Sequence, residues 1–307
     1  MTVSVKHITV IGAVNVDIAG TPSARLVARD SNPGQIRVTY GGVGRNIADN
    51  IVRLGLPVEF ITVLGDDVHA AAIRKNCRQL KISLKQSLVV SGRNTSSYLC
   101  INNEKGDMHV AVNDMGIYDL LTPNFLGPKM DLINRGSLLV LDANIPQATI
   151  AFLAENCTVP ILAEPVSTIK AVRLLPVLDR LYMIKPNRLE AEVLSGIKIS
   201  QDHDLERAAD SLLEKGVEHS FISLGSEGVF YAGRKFRKKY ANLPSRLVNT
   251  TGCGDAFMAA CAWGLVQGFT LDQIARLGLA ASAVCIEAPG AISLEMTAPY
   301  ILKRAQI

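Results

Sequence analysis

From Asn249 to Phe257 the chain reads Asn-Thr-Thr-Gly-Cys-Gly-Asp-Ala-Phe, residue types that could set a base beside a bound anion. Two hydroxyl residues lead into a Gly-x-Gly step, a single carboxylate follows, and from there to Gln267 the sequence is small and apolar enough for a buried helix. The first turn of a helix has N–H groups without intrahelical partners and a partial positive charge, so Gly252, Cys253 and Gly254 would let an anion reach the amides. A phosphate is the natural guest. Asp255 is the odd member, because a carboxylate beside a phosphate is repulsive unless it accepts a proton or faces a metal or a hydroxyl. Taken alone, the segment fits a capped helix start better, with Asp255 in its first turn.

Further polar residues gather where strand-like runs end. Ile8 to Val14 runs into Asn15-Val16-Asp17, Leu138 to Leu141 into Asp142-Ala143-Asn144, Pro160 to Ala163 into Glu164-Pro165, and Tyr182 to Ile184 into Lys185-Pro186-Asn187. The carboxyl ends of strands in open parallel sheets are where ligands bind. Asn15 and Asp17 could grip sugar hydroxyls, or each could bond its own backbone in a turn. Gly41-Gly42-Val43-Gly44-Arg45-Asn46 opens a helix to about Leu54, with glycines that admit a ligand to the backbone and Asn46 one turn inside. Asn187 and Glu190, three apart at a helix start, share a face and could orient waters around Mg²⁺. Glu190 would equally satisfy the helix dipole. Phe221 to Phe230 reads as strand, tight turn and strand, its glycines allowing a nucleotide close.

These pieces need a frame. Val58 to Gly65 predicts another strand, with Asp66 capping a helix to about Leu80. The stretches at about 18–40 and 88–112 instead predict β-strands, the second a hairpin from Ser97–Ile101 to Met108–Val112 with a polar turn. Together they would form a small projecting sheet that could close over a site. The helices at about 252–267 and 271–287 are almost wholly apolar and should pack centrally. The expectation is an α/β fold, one domain over 1–307 with a mostly parallel central sheet and a small β-sheet lid.

Composition narrows the function classes. The chain has 307 residues, 48% hydrophobic and 20% charged, with a net charge of +4, which gives no cause to expect nucleic-acid or membrane binding. The basic run Arg234 to Lys239 is expected to be a solvated turn. Six cysteines, at 77, 100, 157, 253, 261 and 285, form no Cys-x-x-Cys pair, and five scattered histidines make no metal-ligand spacing. No cleavable signal or spanning apolar run is evident, so a cytoplasmic location is expected. Neither the P-loop nor the dinucleotide fingerprint is present.

Gly41-Gly42 to Asn46, Asn187-x-x-Glu190 and Thr251-Gly252-Cys253-Gly254-Asp255 together resemble the ribokinase-like (pfkB) carbohydrate kinase family in identity, order and spacing, across essentially the whole chain. The resemblance implies a three-layer sandwich, a β lid that often mediates homodimerisation, ATP as co-substrate, Mg²⁺, and a small sugar or nucleoside acceptor. It makes Asp255 the catalytic base and Gly252, Cys253 and Gly254 the anion hole. Acceptor contacts would come from Asn15, Asp17, Gly41, Gly42, Asn46, Ser97, Asp114 and Asn144. ATP contacts would come from Asn187, Ser223, Gly225, Glu227, Gly228, Thr251, Gly252 and Gly254, with Asn187 and Glu190 holding the metal through water. Position 249 departs from the family: its usual Asp is Asn here, which puts activation by a monovalent cation such as potassium in doubt. Within the family, Asn94 to Tyr98, Gly106 to Met108, Asn113 to Met115, Asp142 to Pro146 and Glu164 to Ser167 with Lys170-Ala171 are similar to the pseudouridine kinase branch, which implies transfer to the 5′-hydroxyl of that nucleoside. Ribose, fructose, adenosine or another nucleoside is the alternative acceptor, and a silent sugar or nucleotide sensor on this fold is the alternative class.

Overall fold

The computed structural model describes residues 7–307; residues 1–6, included in the single-domain expectation, lie outside the described residues. Eight strands form one sheet in the spatial order Arg237–Tyr240, Val229–Gly233, His219–Ser223, Met183–Ile184, Ile161–Glu164, Leu139–Asp142, Ile8–Ile11 and Val58–Ile61. From His219–Ser223 to Val58–Ile61 all neighbours run parallel, while the two strands at the other edge are antiparallel. The central strands are short apolar runs because they are buried on both faces. Alternate residues feed two cores. Val10, Phe60, Val140, Leu162 and Phe221 pack with helices Val43–Arg53, Cys253–Val266 and Leu271–Ile286. Ile11, Ile61, Leu141, Ala163 and Ile222 pack with helices Gln147–Asn156, Arg188–Ser195 and Asp202–Glu214. The result is the three-layer arrangement expected from the sequence.

Cys253–Val266 is buried without a break from Asp255 to Gly264, which explains why no polar stripe marks it in the sequence. Its close neighbour Leu271–Ile286 carries Gly278, where a Cβ would come within 2.6 Å of the Phe257 ring. A side chain there would push the two helices apart. Among the described residues no helix is long and apolar enough to cross a membrane.

A second sheet has the order Gly34–Gly41, Asn15–Pro22, Ser97–Asn102, Met108–Asp114. It begins earlier than the 18–40 run suggested. The core strand stops at Ile11, so Asn15 and Asp17 open a strand of the small sheet instead of ending the first one. Residues 88–96 are not part of it: Leu88–Val89 pairs with Val63–Leu64 in a separate ladder. That second ladder also splits the expected 58–65 strand, because the Thr62 amide donates to Ser87 Oγ at 3.1 Å. The helix Val68–Gln79 is capped by Asp67, whose Oδ1 accepts from the Ala70 amide at 2.7 Å, and not by Asp66, which instead holds Ser91 and Gly92 of the following loop. Half of the basic run is an edge strand, with Arg237, Lys238 and Lys239 paired to Asp210, Asp272 and Glu227.

Register sorts the small sheet's faces. Residues opposite one another share a face, so Ile36, Val38, Ile18, Leu99, Ile101, Val110 and Val112 form one apolar side. Ile36, Val38, Leu99, Val110 and Val112 are exposed on it. Asn15, Asp17, Thr39 and Gly41 lie on the opposite side.

Candidate active site

The start of helix Cys253–Val266 is built around Gly252, which sits at the cap with φ 84° and no side-chain cap. A Cβ on Gly252 would lie 2.2 Å from the Ala291 carbonyl oxygen, so both space and backbone require glycine. The first regular intrahelical bond is Ala256 N–H to Gly252 O at 2.9 Å. The Cys253 amide turns back towards the Thr250 carbonyl at 3.4 Å. Gly254 and Asp255 therefore carry the amides that the helix geometry leaves for an outside acceptor. Asn249 shapes the preceding turn: its Oδ1 accepts from the Thr251 amide at 2.9 Å and its Nδ2 donates to the Pro289 carbonyl at 3.2 Å.

Asp255 is buried, and its Oδ2 accepts from Asn46 Nδ2 at 2.8 Å. Asn46 reaches it from helix Val43–Arg53, whose start at Gly42 (φ 95°) leaves no room for a Cβ, 2.6 Å from the Ala13 carbonyl oxygen. Burial pushes the Asp255 carboxyl up to about 7; the Asn46 hydrogen bond and the Lys185 charge pull it down, and Asp142 pushes it further up. Such a group exchanges its proton near neutrality, as a base for a hydroxyl must. Asp142 itself is a strut. Its Oδ2 accepts from the Ala13 and Gly44 amides, both at 2.8 Å, which ties the end of strand Ile8–Ile11 to the start of the Asn46 helix.

Behind the helix start lies a charged pair that the motif spacing did not reveal. Lys185 Nζ is 3.2 Å from Glu164 Oε2, both side chains buried. Burial pushes the Glu164 carboxyl up, and Glu190 and Asp255 add to this against the pull of Lys185. Burial opposes the Lys185 charge as well, but Glu164, Glu190 and Asp255 outweigh it and hold the ammonium above its ordinary range. The one signal in the sequence was that both residues end strands. Asn187 and Glu190 form a reciprocal capping box, each side-chain oxygen accepting from the other's amide at 2.9 Å. One Glu190 oxygen is outside that exchange.

A cavity of about 560 Å³ opens from this point. Lys185, Asn187, Cys253 and Gly254 line its polar end, and Leu243, Leu247, Phe257, Leu279 and Ile286 its apolar walls. Ser223, Gly225 and Gly228, expected at ATP, line it too. Gly228 has a second cause, since its Cβ would fall 1.9 Å from the Tyr240 carbonyl oxygen. Thr250 lines the cavity in place of the expected Thr251. Glu227 does not line it: its carboxylate is held by Arg188 and Lys239, both at 2.9 Å.

The expected acceptor residues divide. Asn15, Asp17 and Gly41 share a face of the small sheet, and Asp17 Oδ2 occupies the place of a Gly41 Cβ, 2.0 Å away. Burial pushes Asp17 up to about 6 against the pull of Arg45. Asn15 Oδ1 accepts from Ser96 Oγ at 2.7 Å. Ser97 and Asp114 face each other across the ladder, on the apolar side with Val16, turned away from Asp17. Asn144 is buried, with its Oδ1 accepting a short hydrogen bond from Lys170 Nζ. Among the described residues no group of three or more His, Cys, Asp or Glu could hold a metal ion directly.

Comparison with known proteins supplies the context for this geometry. The family model described as pfkB family carbohydrate kinase matches residues 5–298. The pseudouridine kinase of Escherichia coli (strain K12) is 35% identical over 282 residues, 91% of this chain and 90% of the relative. A ribokinase of Haemophilus influenzae is 26% identical over 94% of both chains. The solved structure of a carbohydrate kinase from Agrobacterium tumefaciens superposes with a TM-score of 0.87 at 27% identity, over 98% of this chain and 97% of the other.

Proposed function

The chain belongs to the pfkB family of carbohydrate kinases, and from that membership we propose that it transfers the terminal phosphoryl group of ATP to the 5′-hydroxyl of pseudouridine. It is a phosphotransferase with an alcohol group as acceptor. The observation that carries the mechanism is the Asp255 carboxyl, held by Asn46 at 2.8 Å, in the first turn of a helix without a side-chain cap. Asp255 takes the proton of the attacking hydroxyl, and the amides at Gly254 and its neighbours stabilise charge on the transferring group. The apolar walls suit a nucleotide base, and the polar end suits its phosphates. Mg²⁺ bound with ATP would supply charge neutralisation; Asn187 and the Glu190 oxygen outside the capping box fit a water-mediated hold. Asn15, Asp17, Gly41, Gly42 and Asn46 hold the ribose, beneath a small sheet that acts as the lid of a single catalytic unit.

The acceptor rests on the 35% relative. Ribose or another nucleoside is the second reading, favoured by the ribokinase likeness. Release of ADP measured with pseudouridine, uridine, adenosine, ribose and fructose separates the two, with the highest kcat/KM expected for pseudouridine. No pseudouridine-dependent release would overturn the acceptor. The exposed apolar side of the small sheet supports a homodimer formed through it, and the protein is expected to work in the cytoplasm.

A further inference from the structure

We propose that Lys185 is a catalytic residue of this kinase: clamped by Glu164, its ammonium meets the terminal phosphoryl group of ATP at the start of helix Cys253–Val266 and counters the carboxylates around it. The inference rests on the kinase reading and extends it. A Cβ at Gly254 would lie 3.1 Å from Lys185 Nζ and 3.6 Å from its Cε, so the ammonium abuts the turn that carries the Gly254 and Asp255 amides. Lys185 also lines the cavity at that end. An ammonium has three donors, and the ion pair with Glu164 Oε2 at 3.2 Å engages at most one of them. Burying such a charge is costly without full partners, and a phosphate oxygen entering at Gly254 would complete the set.

Charge balance points the same way. Glu164, Glu190, Asp255 and Asp142 crowd this end, with Lys185 as the cation that acts on Glu164 and Asp255. Glu164 arrives at the end of strand Ile161–Glu164, Asp142 at the end of Leu139–Asp142, and Glu190 in helix Arg188–Ser195. The thiols of Cys253 and Cys285 also sense Asp255, and Asn46 is its neutral partner. A polyphosphate entering among these carboxylates needs a fixed positive charge beside the helix amides, and Lys185 supplies it.

The test uses the full chain with three variants, Lys185→Met, Lys185→Arg and the double change Lys185→Met with Glu164→Gln, the last avoiding a stranded buried carboxylate. We expect the double variant to fold, to bind ATP roughly tenfold more weakly with ADP affinity within about threefold, as for loss of a charged hydrogen bond to the terminal phosphate, and to lose roughly 10² to 10³ in kcat. Acceptor KM should hardly move, and Lys185→Arg should restore part of kcat. In Lys185→Met the acid limb of kcat/KM should move up by about one pH unit, because a neighbouring opposite charge lowers a carboxyl pKa. Wild-type kcat with an unchanged preference for ATP over ADP in the double variant would overturn the assignment. Should the unaltered protein turn over no acceptor, the kinase reading falls by itself, and calorimetric ATP binding by the double variant still decides for or against Lys185.

Discussion

Replacing Asp255 with Asn should make the protein nearly inactive and, above neutral pH, more stable. The carboxyl is 8% exposed and its pKa is raised by burial from 3.8 to about 7. That difference, roughly three units at about 1.4 kcal/mol each, amounts to about 4 kcal/mol of linkage. The native state holds the proton more tightly than the unfolded chain, so the stabilisation is complete below about pH 4 and lost as pH rises through about 7. An Asn at this position never ionises and avoids that loss. Its amide N–H, if left without an acceptor, costs about 1–3 kcal/mol, which leaves a net gain of about 1–3 kcal/mol in alkali. Urea unfolding at about pH 9 and about pH 5 should show the variant ahead of the wild type at the higher pH, with the gap shrinking at the lower. Turnover should fall by roughly 10² to 10⁴, the range for a positioned general base. An unchanged kcat would refute Asp255 as the base. Equal stability at both pH values would refute the claim that its burial is energetically costly.

Three other perturbations probe separate parts of the structure. Asn46→Ala removes the hydrogen bond that lowers the Asp255 pKa, so the acid limb of kcat/KM should move to higher pH; a pH profile superposable on the wild type would contradict this. Val112→Asp, on the exposed apolar face opposite Leu99, should leave a monomer in sedimentation equilibrium where the parent chain is a dimer, and a parent chain that sediments as a monomer would remove the dimer proposal. Asn249 carries no formal charge and already uses both ends of its amide, on Thr251 and Pro289. Exchanging potassium for tetramethylammonium should therefore change kcat by less than about twofold, and strong potassium activation would show that the turn opens to admit the ion.

What the sequence reveals of this site is set by how local each feature is. The helix starts at Gly252, at the paired glycines before Asn46 and at Asn187 with Glu190 are each contained within one turn, and all stand where the spacing put them. The core strands are legible too, because strands buried on both faces must be continuous apolar runs. Features that depend on register or strand order are not. Ser97 lies next to Tyr98, and a one-residue difference in a strand reverses the face; only the pairing of Val16 with Ser97 and Asp17 with Tyr98 reveals that Ser97 and Asp114 turn away from Asp17. Glu227 lies within a glycine turn that borders the cavity, yet Arg188 and Lys239 from two other elements claim it. The helix Ala298–Ala305 has only eight residues, with Pro299 in its first turn, too few to show a period in the sequence. Lys185 and Glu164 belong to this second class. Glu164 ends its strand and Lys185 directly follows one, each an ordinary polar residue, and they become an ion pair only because Ile161–Glu164 and Met183–Ile184 are neighbours in the sheet. The strand ends identify where the chemistry lies, but the order of the strands determines which charges meet there, and through Lys185 and Asp142 that order adds to burial in deciding how readily Asp255 gives up its proton.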